Sequence, residues 1–244
     1  MHEDLAGSGL YQLKGAIGSP YSMKMRAVLR YRRIPFVWQG GLVGFMAAQA
    51  MKAKVVPVLV TPEGVSIGQS AAINNYIAST QGFLGSSPTE AAQVVNWMES
   101  LTELNAVWSK LVPYGTEPTA EAYAAFFDDK TAADVTGVAD RAAASKRAAH
   151  WFLGRLERLT SAHGPFAVGN KLSLADVALF RLLGDVVSRD ETNKDVPAYR
   201  LEPYGSAERT AALLASYPKI AAIVENVRAN KNLQAYLAAR PKHA

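Results

Sequence analysis

A proline set inside a run of valines limits what residues Val55–Ser70 can form, and through them the rest of the chain. The stretch reads V-V-P-V-L-V, then T-P-E-G, then V-S-I-G-Q-S. Val, Ile and Leu dominate both apolar runs, so each predicts a strand. Pro62 suits the second position of a tight turn and Gly64 its exit, which pairs the strands as an antiparallel hairpin. Pro57 has no N–H to give a sheet ladder. It therefore belongs at a strand's first residue, at an edge or in a cis turn. At the start of Val58–Val60 it leaves the backbone of Val56 unpaired and facing outward, where an extended peptide can add as a short strand. Ser70, placed as an N-cap, opens a helix through Ala71, Ala72, Ile73, Tyr76 and Ile77. The N–H groups of that helix end favour a carboxylate. A backbone edge beside an anion site suits a small anionic peptide.

The residues before this hairpin alternate strand and helix. Tyr11–Ala16 predicts a short strand, and Ser19-Pro20 is a helix start signal for Tyr21, Met25, Val28 and Leu29 at helical spacing. Ile34–Trp38 predicts the next strand and Phe45–Met51 a short helix. Gly40, Gly41 and Gly44 are not followed by Gly-Lys-Ser/Thr, which argues against a phosphate loop. The order is strand, helix, strand, helix, strand, strand, helix: a thioredoxin-like arrangement. Gln81–Pro88 is rich in breakers and reads as a linker. Beyond it the pattern is helical. Val94, Trp97, Leu101, Leu104, Trp108 and Leu111 recur at three- and four-residue intervals. Ala120–Ala149 is alanine-rich and predicts helix of strong propensity, with a break near Gly137, continued by Trp151–Leu159. Ser173 and Asp176 have capping-box spacing, with Leu172 and Val177 as a hydrophobic staple, and the expected role is structural. Two more helices are expected around Ala207–Ala215 and Lys219–Ala239.

V-x-P-V-L, a hairpin, then Q-S-x-A-I-x-x-Y-I resembles the glutathione-binding half of a cytosolic glutathione transferase. The capped segment at Ser173 and the Tyr217–Arg240 segment resemble that family's C-terminal domain. The resemblance implies an α/β thioredoxin-like domain over 1–82 and an all-α domain over 89–244. It also implies a cis Pro57, a Val56 backbone that pairs with the cysteinyl unit of glutathione, and a Gln69–Ser70 pair that holds the γ-glutamyl end. Lys54, one residue displaced from the family's usual polar position, is a further candidate for the glycyl carboxylate. S-P-Y-S-M-K-M-R is similar to the serine-type signature of the tau and zeta classes, which makes Ser19 the thiol-activating hydroxyl. The last helices are instead similar to those of the sigma, pi and mu classes, which use a tyrosine. Tyr21, also a candidate for glutathione binding, and Ser22 stand as alternatives for the donor.

The implied activity is a glutathione transferase that stabilises the thiolate of glutathione, its co-substrate, and transfers it to a small apolar electrophile. The other reading left open is a non-catalytic binding or assembly module of the same fold. The electrophile site is expected between the domains, with Trp97, Trp108 and Tyr114 as candidates and Tyr11 and Phe45 behind them. Homodimerisation and a cytoplasmic, detoxifying role follow from the same resemblance.

Composition narrows the alternatives. The 244 residues carry a net charge of +5, and the whole excess lies before Gly82, where Lys14, Lys24, Arg26, Arg30, Arg32, Arg33, Lys52 and Lys54 face only Glu3, Asp4 and Glu63. That is where an anionic ligand would dock. No dense basic stripe interleaved with aromatics suggests nucleic acid. No apolar run approaches the ~18 residues of a membrane span, and Met1–Leu10 has no apolar core of a secretory signal. There is no cysteine. This removes disulfides, thiolate metal sites and a cysteine nucleophile, and it argues against thiol-transferase chemistry. His2, His150, His163 and His243 show no metal-ligand spacing, so no metal is expected.

Overall fold

Val58–Val60, the run that begins one residue after Pro57, sits inside a four-stranded sheet and is fully buried. The computed structural model describes residues 9–15, 25–26, 29–30, 33–40, 44, 46–47, 55–130, 147–187 and 194–238, without the side chains of Tyr236 and Ala238. They fall into two compact units, one within Met1–Phe83 and Ala229–Ala244, the other Leu84–Arg228.

In the first unit the strands are β1 (Tyr11–Lys14), β2 (Phe36–Gln39), β3 (Val58–Val60) and β4 (Ser66–Ile67). Their order across the sheet is β2-β1-β3-β4. β1 runs parallel to β2 and antiparallel to β3, and β3 pairs antiparallel with β4. The hairpin forms as expected. Gly64 N–H donates to the Thr61 carbonyl at 2.9 Å, and Gly64 has a φ of +84°, which glycine adopts without a steric penalty. Gly44 has a different reason to be glycine: a Cβ there would collide with the Gln39 carbonyl oxygen. Helix α1 (Ser70–Thr80) buries Ile73, Asn74, Ile77 and Ala78. Leu13, Met25, Leu29, Leu59 and Phe83 are further buried apolar residues of this unit. Two arginines stack on alternate rings of β2: the Arg26 guanidinium lies 4.7 Å from the centre of Trp38, and that of Arg30 4.9 Å from Phe36.

The second unit is helical. Helix α2 (Pro88–Leu111) begins with Pro88 at its first position, so the expected linker ends one residue earlier. Ser87 Oγ accepts from Glu90 N–H at 3.2 Å, while the Glu90 carboxylate accepts from Ser86 N–H at 2.5 Å. Helix α3 (Ala120–Tyr123) passes into a π-helical turn, Ala124–Asp128. Here the expected run of helix from Ala120 to Ala149 is interrupted at Asp129–Lys130 and again at Arg147–Ala148, with 131–146 outside the described residues. Asp129 is extended, and Ala148 is extended again, so helix α4 (Ala149–Leu159) starts afresh instead of continuing. Packing has overridden propensity, because the wider π turn lets the consecutive Phe126 and Phe127 both bury. Gly137 lies outside the described residues.

Helix α5 (Leu174–Leu183) is buried on nearly every side and forms the centre of this unit. Trp97, Leu101 and Leu104 of α2 and Leu153 and Leu156 of α4 are buried too. Short 3₁₀ turns at Ala198–Arg200 and Pro203–Gly205 precede α6 (Ala207–Leu214) and α7 (Pro218–Arg228). Glu157 fastens α4 to α7: its carboxylate accepts from the N–H groups of Lys219 and Ile220, each at 3.0 Å, at the otherwise unpaired end of α7. His150 Nδ1 lies 2.7 Å from the Tyr217 hydroxyl and ties the same two segments.

The last helix, α8 (Lys231–Ala238), returns to the first unit. Arg33 donates from Nε and Nη2 to Asn232 Oδ1 at 3.2 and 2.9 Å, and Leu233 is buried. Among the described residues no helix is long and apolar enough to cross a membrane.

Candidate glutathione site

Strand register brings the described candidate residues of the first unit to one end of the sheet. β3 and β4 run antiparallel and pair Leu59 with Ile67, so Pro57, just before β3, and Gln69, two residues past β4, lie at the same end. β1 and β3 pair Leu13 with Leu59, which in turn sets Gly15 opposite Pro57. Gly15, Pro57 and Gln69 thus form a row at one end of the sheet. It is the carboxyl end of the parallel pair β1 and β2, where Gly15 N–H donates to the Gln39 carbonyl at 3.0 Å. Ligands of open α/β sheets bind outside that end.

The bond between Val56 and Pro57 is cis, and Pro57 itself is buried. Val56 is half-buried, precedes β3 and has no backbone hydrogen bond among the described residues. At the other side of the row, Ser70 is not the N-cap. It is the first residue of α1, and the capping position belongs to Gln69, whose side chain makes no capping bond. Gln69 has a φ of 64° and a ψ of 120°. A side chain in that region costs on the order of 1–3 kcal/mol, and such strain gathers at ligand sites. The chain has to turn sharply from β4 into α1 within two residues, and Gln69 takes the whole turn.

The first bond of the α1 ladder runs from Ile73 N–H to the Gln69 carbonyl at 3.0 Å. The N–H groups of Ser70, Ala71 and Ala72 are left outside the ladder, at the positive end of an 11-residue helix. Gln69 is exposed and Ser70 half-buried, so this end can meet a ligand. The chemistry on offer is one carboxylate on backbone N–H groups and one peptide segment along Val56. Ser19, Tyr21, Ser22 and Lys54 lie outside the described residues.

The aromatic candidates are otherwise engaged. Trp97 is buried to 1 % exposure inside the second unit and packs its core. Trp108 stands among Tyr123, Phe126, Phe127 and Tyr204, with ring centres 5.0–6.3 Å away. Tyr114 is 98 % exposed, with Arg200 over its ring. Tyr11 stacks edge-on against Tyr76. Burial pushes the Tyr76 phenol above its ordinary range, with Tyr11 adding to the rise. Phe45 lies outside the described residues.

Asp176 is a structural group, as its spacing indicated. One carboxylate oxygen accepts from Ser173 N–H at 2.7 Å and Ser173 Oγ–H at 2.6 Å, and the other from Ala167 N–H at 2.7 Å. Burial pushes its carboxyl above the usual range, and these donors pull against that. Among the described residues no cluster of three or more His, Asp or Glu could hold a metal ion. Sequence reasoning missed the left-handed Gln69 and the buried Asn74. The second had a signal: an amide four residues after Ser70, between the apolar Ile73 and Ile77.

Residues 13–87 match the family profile described as "Glutathione S-transferase, N-terminal domain", and residues 119–240 the one described as "Glutathione S-transferase, C-terminal domain". Glutathione S-transferase A of Cavia porcellus is 30% identical over 126 residues, 51% of this chain and 50% of that protein. Glutathione S-transferase A2 of Homo sapiens is 27% identical over 135 residues, 55% of this chain and 53% of that protein. The matched stretches thus span about half the length of these curated relatives. Among solved structures, monomeric Na-GST-3, a glutathione S-transferase of the hookworm Necator americanus, superposes with a TM-score of 0.66 at 19% identity, covering 95% of this chain and 98% of that one. Prostaglandin synthase D of Nilaparvata lugens gives 0.63 at 15% identity, over 95% and 98%. At such identities the likeness is one of fold.

Proposed function

The chain belongs to the glutathione S-transferase family, and from that premise we propose that it binds glutathione as co-substrate and transfers it to a small apolar electrophile. One observation carries the reading: Pro57 and Gln69 share a row at the carboxyl end of β1 and β2, with the open Val56 edge on one side and the α1 N-terminus on the other. Glutathione is a peptide with a carboxylate at each end, and the row offers a partner for its backbone and for one carboxylate. Val56 takes the cysteinyl unit, Gln69 and Ser70 the γ-glutamyl end, and Lys54 and Tyr21 contribute to holding the remainder.

A thiol of pKa ~8.5 is mostly protonated at neutral pH, and selective stabilisation of its thiolate by about 2.7 kcal/mol moves the balance below neutrality. A hydroxyl donor beside a helix start supplies that. Ser19 is assigned the role, with the thiolate then positioned against the electrophile. The cytoplasm, a homodimeric state and detoxification of electrophiles belong to the same proposal.

Retention on immobilised glutathione, followed by conjugation of a generic aryl halide, tests it. The parent should be retained and turn over; retention without turnover would favour a binding module. Ser19→Ala should keep its glutathione affinity and lose ~10²-fold in rate, with the bound thiol titrating at higher pH. If Tyr21→Phe or Ser22→Ala shifts the thiol titration instead, the donor is reassigned.

A further inference from the structure

Tyr114 and Arg200 meet on the second unit in a way that neither core packing nor ion pairing accounts for. The turn Pro113–Thr116 follows α2 directly. Thr116 donates to the Pro113 carbonyl from its N–H at 3.0 Å and from its hydroxyl at 2.7 Å, and Gly115 has a φ of +93°. A turn closed by its own bonds, with glycine at the left-handed position, keeps its shape without help from a core. It holds Tyr114 out at 98 % exposure.

Arg200 ends the 3₁₀ turn Ala198–Arg200, where its N–H donates to the Pro197 carbonyl and that of Leu201 to Ala198. Its guanidinium lies 5.3 Å from the centre of the Tyr114 ring and 5.7 Å from that of the half-buried Tyr199, within cation–π range. Arg181, Arg209 and Arg228 of the same unit each face a carboxylate, of Asp185, Asp128 and Glu225. Arg200 is exposed, and among the described residues it makes no ion pair and no side-chain hydrogen bond. An arginine already held against rings loses little freedom on binding, and its fork meets a carboxylate with two parallel bonds.

Shape decides what kind of molecule meets this place. Small-molecule sites are concave and bury most of their ligand, whereas a ring at 98 % exposure projects. Projecting tyrosine and arginine are the anchors that protein interfaces favour. The charged residues closest along the chain, Lys110 and Lys194 against Glu117, Asp195 and Glu202, leave no cationic excess around Arg200. A nucleic acid or an anionic membrane needs such an excess; a single acidic side chain does not.

We propose that Tyr114, Tyr199 and Arg200 dock a partner protein through an Asp or Glu side chain, which takes the guanidinium while the Tyr114 ring covers the residues beside it. This interaction goes beyond the glutathione reading and does not depend on it.

A phage-displayed library of random peptides, panned on the immobilised full chain and counter-selected on Arg200→Gln, tests the proposal. The peptides retained should share an Asp or Glu next to an apolar residue. In calorimetry a synthetic copy of the strongest should bind the parent, and its amide twin, with Asn for Asp or Gln for Glu, about tenfold more weakly. Arg200→Gln and Tyr114→Ala should each lose about as much, and Arg200→Lys should recover only part of the loss, since lysine has no fork. Because both positions are exposed, the denaturation midpoint of each variant should stay at the parent value. Retention on immobilised glutathione should be the same in the parent and Arg200→Gln, whichever way that separate test falls. Enriched peptides without an acid, no enrichment over the counter-selection, or an amide twin that binds equally overturns the proposal. Binding to phosphatidylserine vesicles or to a single-stranded oligonucleotide that Arg200→Gln abolishes overturns it as well, because the guanidinium would then serve a phosphate.

Discussion

Two helix starts, those of α1 and α5, are built in opposite ways. At α5 the chain closes its own end: Asp176 accepts from two backbone N–H groups and one hydroxyl, and both Ser173 and Asp176 are fully buried. At α1 it leaves the end open. Gln69 caps with no side-chain bond and holds a left-handed backbone, three N–H groups stay outside the ladder, and one turn below Asn74 Oδ1 has no partner among the described residues. One end closes its donors within the chain, and the other leaves them open. Capping chemistry thus separates the two helix starts, although each has a serine at or beside the cap.

The contrast predicts opposite consequences at the two ends, the largest first. Asp176→Ala leaves three buried donors unmet and should cost about 3 kcal/mol or more. Urea denaturation should show that loss, with unchanged turnover per folded molecule; a stability loss near zero would remove the distinction between the ends. Ser70→Ala should do the reverse. It should weaken glutathione by about 2 kcal/mol in calorimetry, with the denaturation midpoint unmoved, because Ser70 caps nothing. Gln69→Gly sharpens the comparison further. Relief of the left-handed backbone should raise stability by about 1 kcal/mol, while loss of the side chain lowers glutathione affinity. An equivalent gain at Ser173, whose φ of −121° is ordinary, is not expected.

The smallest effect concerns pH and belongs to the second unit alone. Burial holds the His150 imidazole below its ordinary pKa, with Lys130 adding to the depression, while the Phe127 backbone and Asp128 oppose it. The neutral form is therefore favoured in the folded state. Below about pH 6.5 the unfolded chain takes up a proton that the folded chain does not. Stability from this group is complete above that value and is lost as pH falls toward the depressed folded pKa. In His150→Gln the midpoint should fall less steeply with acid over that range.

The sequence carried the hairpin, the cis-compatible Pro57 and the Ser173–Asp176 box, because each rests on local chemistry within about four residues. It also carried the thioredoxin-like order, since the strands alternate with helical spacing. What it misplaced depends on packing between distant segments. The helical run from Ala120 is interrupted at Asp129, where Phe126 packs against Trp108 and the sequence-distant Tyr204, and Phe127 against Trp108. The displacement of the cap from Ser70 to Gln69 has the same origin: β4 must end where its register with β3 ends, so the turn falls on Gln69 and not one residue later. Trp97, a candidate pocket ring, lies in the core instead, because a periodic aromatic stripe does not say which side of a helix meets solvent.

The bond from Arg33 to Asn232 spans 199 positions of sequence, from the first unit's early residues to a helix near the end of the chain. Proteins are made from the N-terminus onward, and domains ordinarily fold in that order. Here the second unit is one continuous run, Leu84–Arg228, whereas the first includes a segment synthesised after it. On the ribosome, the second unit has all its residues before the first does. The portion begun earliest is the one completed last.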